Sequence, residues 1–161
     1  MPKPKSNSDK RVVVPRTRPA RASDRTDWLR LRRALWPDCS EAMHRLEMKQ
    51  LARPSRKAGV LVLDDGRGCV VGFIELSIRG RVDGSTAPRV GYIEGWFIEP
   101  AFRRQGWGRR LVAAAGDWCR RRGLSELASD SELANRTGQA AHRALGFRET
   151  FRLVHFVKKV R

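Results

Sequence analysis

Acidic residues are scarce in this chain. Seventeen Asp and Glu stand against 34 Lys and Arg in 161 residues, for a formal net charge of +17. A carboxylate placed among apolar neighbours is therefore a group to account for. Cysteine is sparse too. Cys39, Cys69 and Cys119 are odd in number and lack C-x-x-C spacing, which argues against a disulfide framework and against a bound metal. Buried or half-buried thiols are the plain reading. No apolar run approaches the roughly 20 residues that span a bilayer, and no secretory core lies near the N-terminus. The chain reads as soluble and cytoplasmic, with no membrane partner. Tyrosine occurs once, as Tyr92.

What is abundant is arginine. The positive balance favours polyanionic partners, nucleic acid first. Yet the charge is unevenly spread. Residues 1–22 hold seven basic side chains and one acid. This Pro-rich stretch has little to bury, so residues 1–15 are expected to form a basic, disordered tail. Residues 16–161 fit a single domain with a real core. Arginine standing where lysine is usual explains much of the remaining charge, so nucleic-acid binding is kept only as a minor alternative.

The pattern of the chain gives an element order. Residues 16–22 suit an edge strand, with Pro19 acceptable there. Ser23 is expected to cap a helix whose apolar face holds Trp28, Leu29, Leu31, Leu35 and Trp36, ended by Pro37. Ser40 caps a second helix through about Arg53. Strands at 59–63 and 69–79 flank an Asp-Gly hairpin signal. Residues 91–123 then read as strand, turn, Arg/Gly-rich loop and helix. A short strand at 127–130, a helix at 135–145 closed by Gly146, and a final strand at 147–160 follow. Antiparallel strands leading into a β-α-β crossover predict an α/β (α+β type) fold. Its centre is a mixed, mostly antiparallel sheet of six or seven strands flanked by about four helices.

The loop Arg103-Arg104-Gln105-Gly106-Trp107-Gly108 enters the helix at 107–122. Unpaired N–H groups and the helix dipole make such an entry an anion site. No Gly-Lys-Ser/Thr follows, so it is not a Walker loop, and no acid in the right context makes it a dinucleotide fingerprint. The glycines allow close backbone approach to a diphosphate, with Arg103, Arg104 and Arg109 as countercharge. A basic solvated loop is the competing reading of the motif taken alone.

This loop, following Ile98-Glu99-Pro100, resembles the acetyl-CoA site of the GNAT acetyltransferases. The element order is also theirs. NRTGQAAHRALGF (Asn135–Phe147) matches the family's second motif. The words LRRALWPDCS, GFIELSIR, YIEGWFIEP, ELASDSELAN and QAAHRALGF together look like the aminoglycoside 6'-N-acetyltransferases. The resemblance spans about residues 16–160 and implies the GNAT fold. It places acetyl-CoA on main-chain groups of Trp96, Phe97 and Ile98, on the loop Arg104, Gln105, Gly106, Trp107, Gly108 and Arg109, and on Asn135, with Arg103 joining the cofactor site as countercharge. It assigns Trp36, Glu94 and Asp130 to an aminoglycoside such as kanamycin or tobramycin. A homodimer is a further implication.

Chemistry adds to this. Glu94 sits amid apolar strand residues, an expensive position for a carboxylate without a job. An acidic pocket suits a polycationic amine, and Glu75 joins it on chemical grounds alone. Direct transfer needs a neutral amine beside a positioned thioester. Glu94 is the candidate general base, through water, and a main-chain N–H near Ile98 the candidate oxyanion donor. The superfamily usually protonates the leaving thiolate with a Tyr; here that helix position is His142, the candidate general acid. Two positions depart from the narrower family. Arg81 stands where a substrate-touching Tyr is expected, and Phe151 where a Glu is. An acetyltransferase acting on another small polyamine or a protein amine is thus the alternative enzyme.

Overall fold

Two apolar runs, VLVL at 60–63 and VVGFIEL at 70–76, dictate a strand pair buried on both faces. The computed structural model describes residues 14–160; residues 1–13 of the expected basic tail lie outside the described residues. The strands are β1 (Arg16–Pro19), β2 (Ala58–Asp64), β3 (Val70–Gly80), β4 (Arg89–Ile98) and β5 (Leu127–Ser129). They form one sheet in the order β1-β2-β3-β4-β5. All neighbours are antiparallel except β4 and β5, which run parallel. A parallel pair needs a crossover, and α3 (Trp107–Arg120) supplies it. The other helices are α1 (Arg25–Leu35), α2 (Glu41–Leu51) and α4 (Arg136–Ala144).

Strand alternation divides the core in two. Leu61, Leu63, Ile74 and Leu76 pack with Leu111, Ala115 and Trp118 of α3. Val60, Val62 and Phe73 pack with Trp28, Leu31 and Met48 of α1 and α2. Burying each such aliphatic side chain contributes about 1.5–3 kcal/mol. The mixed sheet between two helical layers is the expected class.

Two details differ from expectation. The first helix is capped not at Ser23 but through a short 3-10 turn, Ala22–Asp24. The Asp24 carboxylate accepts the Arg21 N–H and both terminal nitrogens of Arg18. The sheet has five strands among the described residues, not six or seven, because residues 147–160 pair with none of them. The apolar side chains that suggest a strand there are exposed: Phe151, Leu153, Val154, Phe156, Val157 and Val160. They have the right spacing but no sheet partner among the described residues.

The feature that positions the site is a bulge in β4. Glu75 pairs with Gly95 and Leu76 with Ile93, so Glu94 is an extra residue without a partner on β3. The bulge reverses which face each residue presents. A Cβ on Gly91 would meet Cys119 of α3, whereas a Cβ on Gly95 would meet Trp36 at the end of α1. Four residues apart in an unbroken strand, the two would face the same way.

Candidate active site

The backbone of β4 opens one wall of the site. β5 pairs only with Gly91, Tyr92 and Ile93, so the edge beyond the bulge has no strand beside it. On the other edge, Glu99 donates its N–H to the Val71 carbonyl. Antiparallel alternation then commits the Phe97 backbone to β3 and turns the Trp96 and Ile98 groups to the open edge. Of the three expected backbone contacts, Trp96 and the N–H of Ile98 are the available ones.

The loop follows directly. Gly106 has φ +84° and caps α3. No atom lies within 4 Å of where its Cβ would be, so the cradle is open. The first helical bond of this turn is Arg110 N–H to the Gly106 carbonyl, which leaves the preceding N–H groups of α3 without intrahelical acceptors. A Cβ on Gly108 would sit 2.9 Å from Trp96, so glycine is what lets α3 begin against β4. This cradle of free N–H groups at a 14-residue helix fits a diphosphate.

Not every loop side chain faces it. Arg103 folds back, donating Nε–H to the Ile98 carbonyl at 2.7 Å, with its guanidinium 5.2 Å from the Phe97 ring. Gln105 donates to the Ala101 carbonyl and accepts from the Trp107 indole. Arg104 and Arg109 are exposed and free to supply countercharge. Asn135 is exposed and caps α4, its Oδ1 accepting the Gly138 N–H at 2.8 Å.

His142 packs edge-on against Trp96, ring centroids 5.7 Å apart. Its Nδ1 lies 2.7 Å from the Gly138 carbonyl and its Nε2 2.9 Å from the Ser129 hydroxyl. A carbonyl only accepts, so Nδ1 carries a proton; Nε2 accepts from Ser129 in the neutral ring and donates to it in the imidazolium. Nδ1 fixes the ring on its own helix, and Nε2 ties α4 to β5.

The acceptor wall lies on the α1/α2 face. Glu94 accepts from the Ser77 hydroxyl and from both Nε and Nη2 of Arg79, the Nε bond being 2.9 Å. The Arg79 guanidinium stacks 3.5 Å from the centroid of Tyr92. Asp130 follows β5 and is exposed. Trp36 closes the other side over Gly95 and packs beside Phe73, His44 and the Arg32 guanidinium. Trp36, Glu94 and Asp130 thus border one wall on the two sides of Tyr92 and Gly95.

Burial, then the negative charge of Asp130, pushes the Tyr92 hydroxyl up to about 12. The folded state holds this proton longer than the unfolded chain does. The resulting stability is full below the unfolded value of about 10 and is lost as pH rises through about 12. Because Tyr92 is the single tyrosine, tyrosinate absorbance reads it alone. The expected titration midpoint is near 12 in buffer and near 10 in denaturant. Coincident midpoints would remove the buried, acid-flanked setting.

Glu75 does not belong to this wall, and its expected role is corrected. It is 2% exposed. Its Oε1 accepts the Trp28 indole N–H at 2.8 Å and Arg32 Nη1 at 2.5 Å. Burial pushes its carboxyl up, and Arg32 and Trp28 pull against that. Arg32 also pairs with Glu47 and donates to His44 Nδ1. This buried network holds α1 and α2 on the sheet beneath Trp36. An acceptor cannot reach it.

Sequence reasoning missed Ser77 and Arg79. The signal was present: in GFIELSIR they follow Glu75 at spacings of two, so all three share one face.

Comparison with known proteins gives the same outline. Residues 25–147 match the Acetyltransferase (GNAT) family. Aminoglycoside N(6')-acetyltransferase type 1 of Serratia marcescens is 43% identical over 133 residues, 81% of this chain and 90% of that one. The Klebsiella aerogenes protein of the same name is 39% identical over 146 residues, 89% and 96% of the two chains. Among solved structures, the apo aminoglycoside 6'-N-acetyltransferase AAC(6')-Ig of Acinetobacter haemolyticus superposes with a TM-score of 0.84 at 37% identity, covering 91% of this chain and 99% of that one. AAC(6')-Iy in complex with a CoA-S-monomethyl-acetylneamine bisubstrate analogue does so with a TM-score of 0.83 at 30% identity and the same coverage.

Proposed function

The chain belongs to the GNAT acetyltransferase family, and from that premise we propose that it transfers the acetyl group of acetyl-CoA directly to the 6'-amino group of aminoglycosides, inactivating them. The observation that carries this reading is the pairing of an open phosphate cradle with an acidic acceptor wall across one bulged strand. Relatives of that name and activity, similar over most of their length, support it.

Acetyl-CoA is held in this reading by the loop N–H groups at Gly106–Gly108, by Trp96 and Ile98 backbone groups and by the Asn135 amide. When bound, it supplies the activated acyl carbon. Glu94 takes the proton that the 6'-ammonium must lose. An N–H near Ile98 serves the acyl oxygen. Trp36 and Asp130 fix the aminoglycoside, whose ammonium groups meet the carboxylates of Asp130 and Glu94, the latter shared with Arg79. His142 bonds through both nitrogens in its neutral form, so it can return a proton to sulfur only as the imidazolium. Arg81 lies exposed in the β3–β4 loop, and its charge narrows the range of polycations accepted.

The test is release of free CoA thiol from acetyl-CoA with kanamycin or tobramycin. A congener with a 6'-hydroxyl should give none. Absence of turnover on every 2-deoxystreptamine compound would remove the substrate assignment.

We also propose that the protein acts as a homodimer. A run of six exposed apolar residues at 151–160 is costly for a lone chain. The root of this segment borders a groove of about 410 Å³ lined by residues including Val112, Leu127, Leu145 and Phe147. A second copy supplies matching apolar surface. Light scattering is expected to give twice the chain mass for the full protein and a single mass after truncation at Thr150. An unchanged dimer after truncation would move the interface elsewhere.

A further inference from the structure

The acid assigned to the acceptor is already paired. Arg79 grips both oxygens of Glu94, in the fork geometry that a guanidinium offers a carboxylate. No other cation is within salt-bridge distance of Glu94 among the described residues. The guanidinium also lies flat on Tyr92, and the field of Asp130 reaches it. Arg79 therefore makes two of the contacts that a substrate ammonium would seek here, Glu94 and an aromatic face.

We propose that Arg79 is an internal stand-in for the acceptor's ammonium group, which an incoming polycation must displace from Glu94. This rests on the reading of Glu94 as the acceptor's acid. Two observations make displacement feasible. The side chains of Arg79 and Glu94 are 45% and 31% exposed, so the pair is solvent-screened and weak. And Arg79 has a second resting place on the Tyr92 ring, so it can release the carboxylate without entering bulk water. The stand-in keeps the bulged carboxylate solvated and oriented between turnovers. It also acts as a threshold. A ligand with one ammonium trades one cation for another and gains little, whereas a polycation gains its further contacts at Asp130 and Trp36. Arg79 is in this sense a specificity-determining residue.

The experiment compares wild type, Arg79→Met and Arg79→Lys. Arg79→Met keeps the apolar stem on Tyr92 and removes the charge. It should lower KM for kanamycin about 2–5-fold, the range set by the small worth of an exposed pair, with a smaller change in kcat. It should also narrow the KM gap between kanamycin and a monoamine acceptor. Arg79→Lys should lie near wild type. A raised kanamycin KM in Arg79→Met would overturn the proposal, showing that Arg79 assists binding rather than competes with it. A second arm needs no turnover. Methylguanidinium binding, read by saturation-transfer NMR, should appear at millimolar concentration in Arg79→Met and be absent from wild type and from Arg79→Met/Glu94→Gln. Equal binding in all three would also overturn it. Failure of wild type to acetylate any aminoglycoside would defeat the functional reading alone, leaving this arm to decide the role of Arg79.

Discussion

Glu94→Gln is expected to reduce kcat/KM for kanamycin about 100- to 1000-fold, within the range a positioned general base supplies. Besides the base, the substitution removes the ion pair with Arg79, which keeps its place over the Tyr92 ring. Glutamine is isosteric, and its carbonyl can still accept from Ser77. The bulge, a backbone feature, is untouched. The phosphate cradle lies beyond the bulge on the other half of β4, so KM for acetyl-CoA should stay within about twofold, since no cofactor contact changes. The residual rate should climb with pH as the acceptor amine loses its proton unaided. An activity within threefold of wild type would reassign Glu94 to substrate binding alone.

Arg32→Met is expected to be the most damaging single change to stability. Arg32 and Glu75 are both about 2% exposed. Removing one partner leaves a carboxylate in the core with only the Trp28 N–H, at a cost of about 3–5 kcal/mol. For a domain of this length that corresponds to a fall in Tm on the order of 10 °C. The double variant Arg32→Met/Glu75→Gln should recover most of the loss, because a neutral amide can keep the Trp28 bond without an unpaired charge. Scanning calorimetry of the three proteins checks this. A double variant no more stable than the single would place the cost in lost packing against Trp36 and His44 instead.

These two residues also show how far the sequence alone could be read. The Gly106-x-Gly108 entry to α3 follows local rules of glycine conformation and helix termini, so it was legible and the structure bears it out. Glu75 was not. A strand carboxylate looks the same whether it faces a pocket or a buried arginine, and its partner lies 43 residues away on α1. The bulge that gives Glu94 its place depends on pairing with β3, which no local pattern encodes; Gly95 was the only hint. The tautomer of His142 follows from the Gly138 carbonyl one helical turn earlier, visible only once α4 is built. The segment 147–160 has a strand's alternation, but a strand needs a neighbour, and none of the described residues provides one.

The bulge at Glu94 has an evolutionary consequence. In the proposed function, Trp96 and Ile98 on one side of it answer to a co-substrate that does not vary. On the other side of the sheet, Trp36, Ser77, Arg79 and Asp130 are proposed to answer to whichever amine is present. Because one unpaired residue separates the two sets, substitutions that retune the amine need not disturb the handling of the acyl donor. Selection by a new antibiotic can then act on a handful of side chains while half the chemistry is inherited intact.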